Sequence, residues 1–243
     1  MKAISSMATR HVLAELMDAA VGAKLPRVEV ESVGGVDAAR RVREGEQFDL
    51  VFLADDALGV LARDGFVDPE TLTPLVVSNV AAAVWAAGTE PAAGPTGPAF
   101  ADASAMRETM RGAGRIGYST GPSGAALVGM IEEWGLADEL GDRLVQAPPG
   151  VPVAQLVARG EVDLGFQQLS ELAGQPGVRI LGTLPPDCAI ATVFGGAVAA
   201  TATDPTAARA VLDFLASPGV DRIVSHHSFE VPTGARREPN SRQ

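Results

Sequence analysis

Apolar and polar residues follow one another in two alternating patterns along the chain, one with the spacing of β-strands and one with that of α-helices. Leu13, Leu16 and Met17, for example, recur at intervals of one and three residues, which predicts a helix directly after a first strand. Strands are predicted at residues 2–7, 28–32, 49–53, 115–118, 162–166 and 178–181. Because strand and helix patterns alternate, the predicted fold class is α/β, with mainly parallel sheets flanked by helices.

Two longer apolar runs, at residues 75–87 and 189–200, are predicted to be strands that cross from one lobe to another. A chain of 243 residues is long enough for two lobes of ordinary size. We expect a discontinuous lobe 1, residues 1–79 and 195–243, and a lobe 2, residues 80–194. The ligand cleft is expected between the lobes.

The charge of the chain limits the partners that it can have. The formal net charge is −11 and the pI is near 4.7, and no basic footprint for a nucleic acid is present. A negative protein can still bind a small anion, because backbone N–H groups and hydroxyls do this locally. We therefore expect a small anionic ligand and no nucleic acid.

Motifs for nucleotides and metals are absent from the sequence. It contains no G-x-x-x-x-G-K-[ST] and no G-x-G-x-x-G, and its one cysteine, Cys188, has no Cys/His neighbours at zinc spacing. His11, His226 and His227 are predicted to lie on exposed helix surface rather than to act as bases. We expect no cofactor and no metal.

The beginning of the chain bears on its location. The first predicted strand starts at residue 2, and no apolar run approaches the roughly 18 residues of a membrane span, so membrane insertion is not expected. If Met1 is the native start, the expected location is the cytoplasm. If a signal peptide has been removed, the expected location is the periplasm.

Three loops rich in hydroxyls or glycines follow predicted strands, which is where open α/β sheets bind ligands. In the third loop, Thr120 or Gly121 is placed to cap a helix whose first turn holds Pro122. Free N–H groups of such a turn, together with hydroxyls, make an anion cradle without a cationic side chain. The residues predicted to bind the ligand are Ser5, Ser6, Gly34, Gly35, Ser119, Thr120, Gly121 and Ser123.

Two further segments follow predicted strands. Asp55 or Asp56 is placed to cap the helix after the third strand. In residues 165–171 the amides and Glu171 are expected to face the cleft, although Ser170 could equally cap a short helix there. The two interpretations of residues 165–171 are compatible.

With these segments placed, the chain resembles the type II periplasmic-binding-protein fold, and most closely its molybdate-binding-protein-like branch. The resemblance covers nearly the whole chain, with its best local matches at residues 47–55, 65–69, 160–166 and 207–218. It implies two lobes joined by two crossing strands, with the ligand between them. Such proteins serve ABC transporters, so a permease would be a partner under that interpretation.

The resemblance also implies roles for particular residues. Ser5 or Ser6 matches the serine that grips the anion at the first strand, whereas Gly34 and Gly35 stand where the family usually has a serine. Residues 119–121 fall where a backbone amide is used, with Val151 or Val153 near a second such position. Gln167 or Gln168 stands in place of the tyrosine that often completes a molybdate site. Glycines and amides would give a larger cradle, better suited to carboxylates.

Residues 118–124 and 167–171 look like those of the aconitate isomerases, a small group in this branch that uses the fold as an enzyme. The first hypothesis is therefore a cofactor-independent isomerase of an unsaturated di- or tricarboxylate. Its base stays open among Ser6, Tyr118, Glu171 and Asp55. The alternatives are a binding protein of a molybdate-type ABC transporter and a cytoplasmic ligand sensor that would need a DNA-binding partner.

Overall fold

The computed structural model describes residues 1–88 and 97–232 and consists of alternating strands and helices, as predicted. The strands are β1 Lys2–Ser6, β2 Glu29–Val33, β3 Leu50–Ala54, β4 Thr73–Trp85, β5 Ile116–Tyr118, β6 Leu144–Gln146, β7 Leu164–Gln168, β8 Val178–Thr183 and β9 Ala191–Val198. The α-helices are α1 Arg10–Gly22, α2 Gly35–Arg43, α3 Asp55–Arg63, α4 Ala103–Gly112, α5 Pro122–Glu133, α6 Ala137–Leu140, α7 Val153–Ala158, α8 Leu169–Leu172, α9 Pro205–Leu215 and α10 Asp221–His226.

The chain forms two compact units. Unit 1 contains Met1–Val77 and the chain from Val193 onwards, and unit 2 contains Ser78–Thr192. The chain leaves unit 1 within β4 and returns to it within β9. These two strands coincide with the long apolar runs at residues 75–87 and 189–200.

The sheet of unit 1 has the strand order β2-β1-β3-β9. Strand β1 is parallel to β2 and β3, and β9 is antiparallel to β3. Because side chains alternate across a strand, Leu50 and Phe52 pack with α1 and α9 on one face, and Val51 and Leu53 pack with α2 and α3 on the other. The carboxyl ends of β1, β2 and β3 therefore share one edge of a sheet that is covered on both faces.

Unit 2 has a mixed sheet. Strand β5 is parallel to β6 and β7, and β4 is antiparallel to both β7 and β8. Ile116 and Phe166 pack with α4 and α5 on one face. On the other face Gly165 faces α7, where an added Cβ would lie 2.5 Å from Val157 Cγ2. Glycine at this position allows α7 to pack closely against β7.

Some local predictions need correction. The residue that caps α3 is Ala54, and Asp55 is the first residue of the helix, so neither Asp55 nor Asp56 occupies the cap position. The helix after β5 begins as predicted, with Gly121 as the cap and Pro122 at the first position. Helix α8 is capped by Gln168 rather than by Ser170.

The buried carboxylate of Asp49 connects three parts of unit 1. Its Oδ2 accepts the N–H of Lys2 at 2.8 Å, and its Oδ1 accepts both the N–H and the hydroxyl of Thr203 at 2.8 Å. Burial alone would raise the pKa of Asp49, but the hydrogen bonds from Thr203 and Lys2 outweigh it and hold the pKa below the ordinary value.

We expect Asp49→Asn to lower the free energy of unfolding by about 2 kcal/mol at neutral pH, because an amide cannot accept all three bonds. The stabilisation by Asp49 is complete above the unfolded-state pKa of about 3.9 and is lost as the pH falls through the lower pKa of the folded state. The difference between the two proteins should therefore shrink in acid. Urea unfolding across this range tests it, with the exposed Asp18→Asn as control; equal stability at neutral pH would contradict it.

Candidate functional site

Three neighbouring strand ends of unit 1 each lead into a helical turn. Strand β1 is followed by the 3-10 turn Met7–Thr9 and α1, β2 by α2, and β3 by α3. The first N–H groups of a helix have no partner within it, and they carry a partial positive charge. This edge of the sheet therefore presents donors of the kind that bind an anion.

Ser5 and Ser6 at the end of β1 are both buried but differ in their hydrogen bonds. Ser5 Oγ lies 2.7 Å from Ser32 Oγ on β2. Ser6 Oγ has no hydrogen-bond partner within residues 1–88 and 97–232. A buried hydroxyl without a partner is costly, so Ser6 is the more suitable of the two to bind a ligand.

This contrast predicts opposite effects on stability. Ser5→Ala should lower the free energy of unfolding by about 1 kcal/mol, because Ser32 loses its partner. Ser6→Ala should leave the stability of the ligand-free protein unchanged or raise it slightly, because it removes an unsatisfied polar group. Urea unfolding of the two variants checks this, and a loss at Ser6 as large as at Ser5 would refute the assignment.

Gly34 and Gly35 leave space beside Ser6. An added Cβ at Gly35 would lie 3.7 Å from the Cβ of Ser6, and one at Gly34 would meet no atom within 4 Å. Neither glycine has a positive φ, so backbone conformation does not require glycine here. The structure thus brings Ser6 and Gly35 together at this edge of the sheet.

Asp55 begins α3 at the end of β3. The residue is exposed as a whole, but its Oδ1 lies against β9, 3.1 Å from where a Cβ on Gly195 would be. This partial burial, and after it the negative charge of Asp56, raises the pKa of Asp55. A carboxylate with a raised pKa is a better proton acceptor than an ordinary one.

In unit 2 the loop after β5 is folded tightly over the start of α5. Ser119 Oγ lies 3.1 Å from the Oγ of the buried Ser123, and Thr120 is exposed. The Ser119 carbonyl covers Gly124 so closely that an added Cβ there would lie 1.8 Å from the carbonyl oxygen. Gly124 is therefore the residue that permits the loop conformation.

Gln167 and Gln168 at the end of β7 are each 3% exposed and have different partners. Gln167 Oε1 accepts the N–H of Ala154 at 3.2 Å, in the first turn of α7. Gln168 Nε2 donates to the Thr192 hydroxyl at 2.7 Å, and Gln168 Oε1 has no partner among the described residues. The Thr192 hydroxyl can donate a hydrogen bond as well as accept one. The side-chain amide of Gln168 can therefore flip, so that its NH2 group takes the position of Oε1.

The other candidate bases of unit 2 lie next to these residues in the sequence. Tyr118 ends β5, is half-buried, and packs against the core beside α4 and α5. Glu171 is half-buried in the short helix α8, three residues after Gln168.

Two buried polar residues were not singled out from the sequence. Thr192 on β9 holds Gln168, and the fully buried Ser78 on β4 has its Oγ 3.3 Å from Ser170 Oγ. Both are polar residues inside otherwise apolar runs of the sequence, and this break in the apolar pattern could have identified them.

The candidates thus fall into two groups, one in each unit. Unit 1 holds Ser5, Ser6, Gly34, Gly35 and Asp55, and unit 2 holds Tyr118, Ser119, Thr120, Gly121, Ser123, Gln167, Gln168 and Glu171. Within each group the residues stand at or directly after strand ends.

Comparison with known proteins identifies relatives in sequence and in fold. An aconitate isomerase from Pseudomonas sp. is 32% identical over 220 residues, which are 90% of this chain and 81% of that protein. The periplasmic molybdate-binding protein of Azotobacter vinelandii superposes with a TM-score of 0.75 at 19% identity, covering 96% of this chain and 100% of that one. The sulfate-binding protein SubI of Mycobacterium tuberculosis gives 0.72 at 16% identity, covering 97% and 88%.

These structures confirm the two-lobed α/β fold of the type II periplasmic binding proteins. Among the described residues, no helix has both the length and the apolar character needed to cross a membrane. The sequence profile of the family described as bacterial extracellular solute-binding protein matches residues 2–230. The chain therefore belongs to this family of solute-binding proteins.

Proposed function

We propose that the protein is a cofactor-independent isomerase that moves a double bond in an unsaturated di- or tricarboxylate of the aconitate type. The observation that carries the proposal is the pair of buried polar atoms, Ser6 Oγ and Gln168 Oε1, that have no partner among the described residues. Each stands at a strand end, next to the start of a helical turn. A ligand that bonds to either atom would remove the cost of leaving it unpaired.

The space beside Ser6 favours a carboxylate ligand over a small oxyanion. A side chain at Gly34 would enter open space that the glycine leaves free, and this supports a guest larger than a tetrahedral oxyanion. Hydroxyls and amides suit carboxylate oxygens, which act only as acceptors. The 32% identical relative that is named aconitate isomerase supports the same ligand class.

The reaction requires a base, a proton return and stabilisation of charge. A proton leaves the carbon beside a carboxylate, the double bond shifts, and a proton is returned at the far carbon, so no oxidant or reductant is needed. The developing dienolate-like charge would be stabilised by hydroxyl and N–H donors. Of the four candidates for the base, we favour Asp55, because its pKa is raised.

The family is described as extracellular, which supports export and leaves the cytoplasmic alternative without support from the relatives. We therefore propose that the protein acts in the periplasm.

The second candidate function is the binding protein of a molybdate-type ABC transporter. It is favoured by the TM-score of 0.75 to the Azotobacter vinelandii molybdate-binding protein over almost the whole chain. Under this alternative an ABC permease is a partner and no reaction takes place.

Incubation of the pure protein with trans-aconitate, followed by proton NMR, tests the isomerase directly. We expect cis-aconitate to appear at a rate proportional to protein concentration. Ser6→Ala should lower kcat/KM by about tenfold, since a charged ligand loses one hydrogen bond worth ~1.5 kcal/mol. Absence of conversion by the wild-type protein, with trans-aconitate and with several related unsaturated acids, would defeat the proposal.

A further inference from the structure

The three histidines of the chain all lie in unit 1, and two of them approach one glutamate. His11 and Glu15 lie one turn apart on α1, His226 ends α10, and His227 follows it. Helices α1 and α10 pack against each other. Their packing brings together residues that are 211 and 212 positions apart in the sequence.

The side chains of Glu15, His226 and His227 converge. Glu15 Oε2 lies 2.7 Å from His227 Nε2 and 3.5 Å from His226 Nδ1. One donor atom from each of the three residues lies within 4.8 Å of the others. The two imidazole rings are 5.3 Å apart at 66° to each other, so they approach the carboxylate from different directions.

We propose that Glu15, His226 and His227 form a binding site for a divalent transition-metal ion such as Zn²⁺. Two imidazole nitrogens and one carboxylate are a ligand set that suits Zn²⁺, Ni²⁺ or Cu²⁺, whereas Mg²⁺ and Ca²⁺ prefer oxygen ligands. Three protein ligands leave the fourth tetrahedral position to water.

All three donor–donor distances are within 4.8 Å, and the two that involve Glu15 are close to those of a zinc site. Zinc bonds of about 2.0–2.1 Å place tetrahedral ligands roughly 3.4 Å apart. The 3.5 Å between Glu15 Oε2 and His226 Nδ1 already has this value. The 2.7 Å hydrogen bond to His227 would have to open by about 0.7 Å, and Glu15 is exposed enough to turn.

The surroundings define which side chains take part. The Arg10 guanidinium donates to His11 Nε2 at 3.0 Å, which engages that nitrogen and leaves His11 out of the ligand set. An ordinary surface pair would need only one histidine against Glu15 and would contribute little to stability. Here His226 at the end of α10 and His227 directly after it approach the same carboxylate oxygen.

A bound ion would connect α10 to α1 and so stabilise unit 1. Any ligand that binds the folded state alone raises the midpoint of unfolding, by an amount that grows with the logarithm of 1 + L/Kd, where L is the free ligand concentration. The proposal does not depend on the isomerase function, since none of its residues lies at a strand end.

Titration calorimetry with Zn²⁺ on chelator-treated, tag-free protein tests the site. We expect binding of about one ion per chain, together with a rise in the thermal midpoint. His226→Ala and Glu15→Gln should each weaken Zn²⁺ at least about tenfold and abolish most of the thermal shift. Glu132→Gln, which removes an exposed carboxylate from α5 of unit 2, is the control and should bind as the wild type does.

His226→Ala is the decisive variant, because its side chain is 75% exposed and its loss should not unfold the protein. The thermal midpoint without metal verifies that the variant is folded. The proposal is overturned if the wild type shows no saturable Zn²⁺ binding, or if His226→Ala and Glu15→Gln bind as tightly as Glu132→Gln. Co²⁺ in place of Zn²⁺ should give the visible absorption of a tetrahedral site, and a purely octahedral spectrum would contradict the assigned ligands.

Discussion

Replacing Asp55 with asparagine is expected to lower the kcat for aconitate isomerisation by at least about 100-fold, because a general base contributes roughly 10²–10⁴ to a rate. The substitution keeps the size of the side chain, so folding and binding should change little. Asp55 lies at the first position of α3, with its Oδ1 against β9 and its pKa raised by partial burial and by Asp56. A neutral amide in the same place cannot accept the proton.

Asp56→Asn is the matched control, because Asp56 stands at the next position of the same helix and its Oδ1 accepts the N–H of Ala57 at 2.8 Å. It should keep kcat within about threefold. Since the negative charge of Asp56 raises the pKa of Asp55, its removal should shift the acid limb of the kcat profile to lower pH. Initial rates followed by NMR between about pH 4 and 8 measure both effects. An equal loss of rate in the two variants would rule out Asp55 as the base.

Gly124→Ala is expected to lower the free energy of unfolding by about 3 kcal/mol or more, or to prevent folding. The new methyl group would lie 1.8 Å from the carbonyl oxygen of Ser119 and 2.7 Å from its carbonyl carbon. Both are backbone atoms, so the loop of residues 119–123 has to move. Ligand binding should fall with stability, because the predicted donors of this loop lose their positions.

The control for Gly124 lies on the same helix. A Cβ at Gly129 would meet no atom within 4 Å, so Gly129→Ala should stabilise the protein by up to about 1 kcal/mol through helix propensity. Urea unfolding of the two variants gives the comparison. If Gly124→Ala is as stable as Gly129→Ala, the close contact between Ser119 and α5 is not present in solution.

The strands and their alternation with helices could be predicted because the apolar pattern follows burial directly. Strand β3, for instance, is buried at every position, and its sequence is apolar throughout. Helix α4 was not predicted, since only Met106 and Met110 of its ten residues are buried. Strand β6 has three residues, which is too short for a pattern.

The candidate site was predictable only in outline. The sequence shows that hydroxyls and glycines follow the strands. It does not show which hydroxyls already have a hydrogen-bond partner within the fold. Ser5 and Ser6 are adjacent, and their difference depends on Ser32, which the fold brings to β1. The different partners of Gln167 and Gln168 depend in the same way on Ala154 and Thr192.

The residues of the proposed metal site could not be grouped from the sequence at all. Glu15 is separated from His227 by 212 positions, so no spacing rule connects them. Only the packing of α1 against α10 brings the side chains together.

Calorimetric titration of one protein preparation with trans-aconitate, molybdate and sulfate tests most directly whether the strand ends bind a carboxylate. We predict saturable binding of trans-aconitate that Ser6→Ala weakens about tenfold, with no measurable binding of molybdate. Micromolar binding of molybdate, with no heat from trans-aconitate, would contradict the account and would identify an oxyanion-binding protein instead.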